Sequence, residues 1–272
     1  MVLRGRGERN EGRVGSAGRA GDARTAGDVA GGGAAGRIER RGRQSRRTER
    51  ALRILDAAAS LVERYGYSKT TMDDVAREAG VAKGTLYLHW NTREELFGAV
   101  LRREQILLTR SFLDRMRAQK QPLTVHALFK QAALGLLERP LVRAVFTRDV
   151  EVVGNLLRRE QRDHPEQKEL FHLLLDFLGR SNLMRRDLTP QAQAFLVSAI
   201  FLGFFLMVSW VPDQAEMSDE QVAGLMADTV VAALHLDGQA TPREEAEAAE
   251  DVLRHLEELV AREEAAFQAE LA

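Results

Sequence analysis

The stretch RILDAAASLVERYGYSKTTMDDVAREAGVAKGTLYLHWNTREELFGAV, Arg53 to Val100, decides the fold. Leu55, Ala58, Ala59, Val62 and Tyr65 recur at helical spacing, and Gly66 then ends that helix. Thr70 followed by Asp73 predicts a second, short helix with a capping-box-like start, Val75, Ala76 and Ala79 as its inner stripe, and Gly80 as its stop. A third short helix is predicted over about 82–88. Asn91 or Thr92, with Glu94 and Glu95 behind it, caps a long fourth helix that carries Leu96, Phe97, Val100, Leu107 and Leu108 to about Ala118. Two short helices joined by a turn centred on a glycine make a helix-turn-helix. Here Gly80 supplies the left-handed backbone of the turn, and Val81 is expected to point inward. Small residues at Ala79, Ala82 and Gly84 let a backbone come close to its neighbours and to DNA. Lys83, Thr85, Tyr87 and His89 are expected to project outward. A cation, a hydroxyl, a phenol and an imidazole suit contacts to phosphates and base edges.

The same stretch closely resembles the DNA-binding domain of the TetR family of bacterial repressors. The resemblance is carried by the Ile54-Leu55-x-Ala57-Ala58 opening, Gly66-Tyr67, Thr70-Thr71, Ala79-Gly80-Val81, Gly84-Thr85-Leu86-Tyr87, the His89-Trp90 pair and Glu94-Glu95-Leu96. It is dense over these 48 residues and covers only the front of the folded part. It implies that Thr71, Tyr87 and His89 contact phosphates and that Lys83, Gly84 and Thr85 enter the major groove. Arg93 stands where the family has a lysine that grips the DNA backbone; it keeps the charge, and its fork suits phosphate. Trp90 replaces the usual phenylalanine and is expected in the core. Leu88 falls where sequence readers vary, and an apolar group there suits a thymine methyl.

Outward from this stretch the chain changes character. Residues 1–45 hold 12 of the 22 glycines and no aromatic residue, too little apolar surface to offset ordering entropy, so a disordered tail is expected. Residues 1–50 carry 13 arginines against six acids, whereas 237–272 carry 11 acids against three arginines. The basic run Arg40-Arg41-Gly42-Arg43-Gln44-Ser45-Arg46-Arg47 reads either as an arm that tracks phosphates or as a solvated tail. Beyond Pro122 helices are expected at about 123–138, 141–159, 165–186, 190–210, 218–236 and 242–269. The acidic last one opens with Thr241-Pro242, Glu244 and Glu245, a good helix start. No run alternates at period two over strand length with turn signals on both sides.

Ala194 to Val211 runs 18 residues without a charge. That length admits a membrane span, but a helix apolar all round is also what a subunit-buried position needs, and the second reading is preferred. In the resembled family the last two core helices pair across a two-fold axis, which implies a homodimer through about 190–210 and 218–236. The resemblance also implies a small-molecule pocket within the bundle, for which Phe112, Met116, Phe146, Phe171 and Phe205 are available. Asp149 lies on the apolar stripe of 141–159 and is either ion-paired or a polar anchor in that pocket.

Absence of cysteine excludes disulfides and thiolate chemistry. The six histidines are scattered without metal spacing, and neither a phosphate-binding glycine loop nor a nucleophile elbow occurs, so no enzyme, metal or cofactor is expected. Without the apolar run of a signal peptide at the start, a cytoplasmic protein is expected. The expected architecture is all-α. A disordered tail (1–45) precedes a three-helix helix-turn-helix domain (46–96), a helical effector-binding and dimerisation domain (97–240) and an acidic helix (241–272). The expected function is a DNA-binding transcriptional regulator acting as a homodimeric repressor on a near-palindromic operator of double-stranded DNA and released by a small apolar effector, with no membrane partner. The rival readings are a helical interaction scaffold and a membrane-associated helical protein.

Overall fold

A computed structural model describes residues 31–119, 123–146, 187–208, 217–234 and 241–272. The chain divides into two compact units, Met1–Arg43 and Gln44–Ala272. Of the first, the described part is the helical stretch from Gly31. Helix α1 spans Gly31–Tyr65, α2 Met72–Glu78, α3 Lys83–Tyr87, α4 Arg93–Ala118, α5 Val125–Leu137 and α6 Pro140–Phe146. They are followed by α7 Pro190–Val208, α8 Asp219–Leu234 and α9 Pro242–Leu271. Among the described residues there is no strand.

Two expectations need correction. Residues 31–45 are the first turns of α1 rather than a structureless tail, while 1–30 lie outside the described residues. Five of the 12 glycines fall in these turns, but Ala34, Ala35 and the charged residues after them are good helix formers. Ser45 also donates a side-chain hydrogen bond to Glu49 one turn on (3.1 Å). The capping box of α2, secondly, sits one residue later than expected. Thr70 is buried and donates its hydroxyl to the Gly66 carbonyl (2.9 Å). Thr71 is therefore the extended N-cap, and it exchanges hydrogen bonds with Asp74.

The termini of the other helices are set by the same local chemistry. Gly66 (φ 77°) and Gly80 (φ 65°) end α1 and α2 in the left-handed region. Thr92 caps α4 by accepting from the Glu95 amide (3.1 Å), and Thr124 does the same for α5 through Ala127 (3.1 Å). Thr241 and Glu244 form a full capping box at α9, with Pro242 in its first turn.

One apolar cluster joins α1, α2 and α3 to α4 and α9. It contains Ile54, Leu55, Val75, Leu86, Trp90, Leu96 and Phe97, continues through Phe112, Leu113 and Met116, and includes Leu253, Leu256, Val260, Phe267 and Leu271. A second cluster is built by α5, α7 and α8 around Phe129, Phe201, Phe205, Met226 and Val230. Of the residues expected at an effector pocket, Phe112 and Met116 fall in the first cluster and Phe205 in the second. Asp149 and Phe171 lie outside the described residues, as does the side chain of Phe146.

The acidic helix α9 runs antiparallel along α4. Arg117 pairs with Glu250 (2.7 Å) and Glu257 (2.8 Å), Arg110 with Glu264, and Arg102 with Glu263 (3.2 Å) and Glu270 (2.9 Å). Glu250, Glu257 and Glu264 are seven apart, as are Leu253, Val260 and Phe267, so charge and apolar seams run side by side. The two seams differ in weight. Arg117 and Glu257 remain about two-fifths exposed, and such pairs contribute about 0–1 kcal/mol. Leu253 is fully buried. We expect Leu253→Ala to destabilise the chain by about 2–5 kcal/mol and Glu257→Gln by less than about 1 kcal/mol, read as shifts of the urea midpoint at constant slope.

Candidate nucleic-acid interface

The third helix has only five residues, too few to hold a helix by backbone bonds alone. Its position comes from its inner side. Leu86 is fully buried, Trp90 just beyond it is 3% exposed, and the Trp90 amide donates to the Leu86 carbonyl (3.1 Å). On the entry side the Gly80 turn closes with Val81 N donating to the Ala76 carbonyl (3.0 Å), and Val81 packs against the same core. Once Leu86 faces in, helical periodicity turns Gly84, Tyr87 and Leu88 to the surface, and Lys83 is exposed in the first turn. Lys83 and Gly84 are exposed, Tyr87 is 43% and Leu88 71% exposed, and Thr85 and His89 are half-buried. Lys83, Gly84, Thr85, Tyr87, Leu88 and His89 therefore share one surface element.

A Cβ built on Gly84 meets nothing within 4 Å, although its backbone is ordinary helix. Nothing inside the chain requires a glycine there. Gly80 also has open space, but its positive φ demands glycine.

The charged side chains are not all free to act. Lys83 pairs with Asp73 of α2 at 2.8 Å, and this carboxylate raises the Lys83 pKa above its ordinary value. Thr71 donates its hydroxyl to Asp74 (2.6 Å) while serving as the N-cap. Hydrogen bonding to Thr71 holds the Asp74 carboxyl below its usual range, with Arg77 adding to the effect. Arg93 lies half-buried with its guanidinium 3.9 Å from the centre of the Tyr67 ring. That ring in turn meets Phe97 edge-on at 5.1 Å. Burial pushes the Tyr67 phenol up, and its hydroxyl donates to Glu94 (3.4 Å). Burial also lowers the His89 pKa, helped by the positive charges of Arg47 and Arg50, so His89 is neutral near pH 7 in the free chain. Sequence reasoning had not found three of these partners: Asp73 under Lys83, Tyr67 under Arg93, and Arg47, whose guanidinium donates to the Leu88 carbonyl at 3.5 Å. The first two are short-range pairings that only the fold reveals. The third depends on how the start of α1 packs beside the end of α3, which the sequence does not state.

A different surface concerns assembly. Helix α7 buries Ala194, Val197, Phe201 and Phe205, yet leaves Phe195 76%, Leu206 45% and Met207 58% exposed. By length and composition α7 is the one described helix that could cross a membrane.

Residues 54–100 match the family model described as bacterial regulatory proteins, tetR family. The chain is 27% identical over 193 residues to the HTH-type transcriptional regulator YhgD of Bacillus subtilis, an alignment that covers 68% of this chain and 97% of that protein. It is 42% identical over 57 residues to the HTH-type transcriptional regulator SrpR of Pseudomonas putida, covering 21% of this chain and 27% of that one. Among solved structures, a TetR-family transcriptional regulator from Rhodococcus sp. superposes with a TM-score of 0.51 at 22% identity, over 68% of this chain and 98% of that one. The family model covers residues 54–100, whereas the match to YhgD and the structural likeness extend well beyond them.

The two glycines at the motif have opposite expected responses. Gly80→Ala should destabilise by about 1 kcal/mol or more, because it forces a Cβ into the left-handed region. Gly84→Ala should be neutral or stabilising by up to about 1 kcal/mol, because it improves helix propensity in open space. Urea denaturation of the two variants against the parent checks both.

Proposed function

For a chain that belongs through residues 54–100 to the tetR family of bacterial regulatory proteins, a family of DNA-binding transcriptional regulators, we propose a cytoplasmic homodimeric repressor in which each subunit sets α3 into one major groove of a near-palindromic operator. The observation that carries this reading is the outer side of α3: an unobstructed glycine, an exposed phenol and an exposed leucine beside a lysine, all held by the buried Leu86 and Trp90. Gly84 lets the helix backbone approach the base edges. Lys83 exchanges Asp73 for phosphate or guanine, Thr85 and Leu88 meet the bases, and Tyr87, His89 and Thr71 contact phosphates. Arg93 reaches the backbone from the start of α4 with its stem held against Tyr67.

Dimerisation is supported by the uncovered apolar side of α7 together with Leu225 of α8. Gly203 and Gly224 have open space where a Cβ would stand, which permits close helix approach. Two copies of this surface form a four-helix interface and place the two α3 helices about 34–36 Å apart or a multiple of that. Release by a small apolar effector is the natural regulation for a bundle this rich in phenylalanine, where Phe201 meets both Phe129 and Phe205 edge-on. Such an effector works only through different affinities for the two poses of α4.

Gel-shift titration on duplexes selected with the purified protein tests the reading. Lys83→Ala and Tyr87→Phe are each expected to weaken operator binding about ten-fold or more with circular dichroism unchanged, a loss of about 1–3 kcal/mol. Asp73→Asn should tighten binding by freeing Lys83. Full affinity in both α3 variants would refute the reading. Phe195→Glu combined with Leu206→Glu should convert dimer to monomer in sedimentation and abolish tight operator binding; a persistent dimer would refute the α7–α8 interface.

A further inference from the structure

The core of the reading head begins at Ala51, which is fully buried. The turns of α1 from Gln44 to Arg50 are exposed at every position but Thr48, so apolar packing does not explain their composition. Arg46, Arg47 and Arg50 stand at helical spacings of three and four, on one side of α1. None of the three has a carboxylate partner among the described residues. Glu49, the acid beside them, accepts instead from Ser45. This is unlike the arginines of α4 and α5's end, where Arg102, Arg110, Arg115, Arg117 and Arg139 each sit against a carboxylate. Like charges at spacings of three and four repel, and no ion pair among the described residues offsets this repulsion.

Their location is equally specific. The Arg47 guanidinium reaches the Leu88 carbonyl at the end of α3 (3.5 Å), and Arg47 and Arg50 both act on His89. The basic side of α1 therefore adjoins the exit of the α3 reading surface. We propose that Arg46, Arg47 and Arg50 form a second DNA-binding site, which grips the phosphodiester backbone of duplex DNA flanking the base pairs read by α3. The proposal rests on the reading of α3 as the groove-inserted helix and deepens it. A polyanion supplies the charge the fold withholds, and guanidinium forks match phosphate oxygens in two-pronged fashion. The site carries no sequence information; it adds affinity and fixes the register of the head on the duplex.

The test compares the full chain with the triple variant Arg46→Gln, Arg47→Gln, Arg50→Gln, and with its Lys counterpart, on a selected operator and on a scrambled duplex at several salt concentrations. All three side chains are exposed, so circular dichroism should be unchanged. The slope of log K against log salt should flatten by about 2–3 in the Gln variant, since each phosphate contact contributes about 0.9, and the Lys variant should retain most of the slope. The ratio of operator to scrambled affinity should stay at the parental value. Trimming the duplex to the bases under α3 should weaken the parent but not the Gln variant.

An unchanged salt slope in the Gln variant overturns the proposal, as does a collapse of the operator-to-scrambled ratio. Loss of binding to phosphatidylserine vesicles with no change on duplex DNA would assign the arginines to a membrane surface and also overturn it. If Lys83→Ala abolishes operator binding while the Gln variant matches the parent, only this site falls. If the parent binds no selected duplex at all, the α3 reading falls and takes this site with it.

Discussion

Burial of Leu86 and Trp90 is the interaction on which the presentation of this chain's chemistry depends. A helix as short as Lys83–Tyr87 has no stability of its own. It exists because those two side chains join Ile54, Leu55, Val75 and Phe97 in a common apolar cluster. With the inner side pinned, the outer side has no freedom of direction, and a functional surface of exposed groups costs little ordering when a partner arrives. The Gly80 turn sets the angle and the Leu86–Trp90 anchor sets the roll.

The reading head does not end at its own boundary. Phe97 opens α4 inside the same cluster that α9 closes far along the chain. Any change in the pose of α4 therefore meets the apolar side of α9 and the paired Arg102, Arg110 and Arg117. Because those pairs are partly solvated they guide register, and the Leu253–Val260–Phe267 seam holds the helix in place.

What could be read from residues alone was whatever chemistry is local. The stops at Gly66 and Gly80, the end of α4 at Ala118 and the start of α9 after Thr241 need only a few neighbouring residues, and each lies where the pattern placed it; of the two cap candidates for α4, Thr92 is the cap. The α2 box slipped by one because Thr70 and Thr71 each have an aspartate three residues on; which threonine caps is decided by burial of Thr70, a tertiary fact. The start of α1 was missed because glycine content was weighed above the alanines and charged helix formers that follow Gly33. Trp90 was legible as core, since a large indole beside a buried leucine has nowhere else to go. The Lys83–Asp73 pair and the stacking of Arg93 on Tyr67 depend on the approach of different elements, and periodicity says nothing about them. The same is true of the packing of Phe112 and Phe205, which join different clusters.

The antiparallel seating of α9 on α4 bears on how the molecule is made. The residues that meet across this seam are 133 to 168 positions apart. At a ribosomal pace of about 5–20 residues per second, the side of α4 that α9 packs against is left uncovered for about 10–30 s during translation. The DNA-facing head, by contrast, has its local contacts as soon as α4 begins. Nascent chains thus pass through an interval in which the head is assembled and its supporting helix is still bare and adhesive. The heptad of glutamates on α9, complementary to the arginines waiting on α4, shortens the search for the correct register once that last helix emerges.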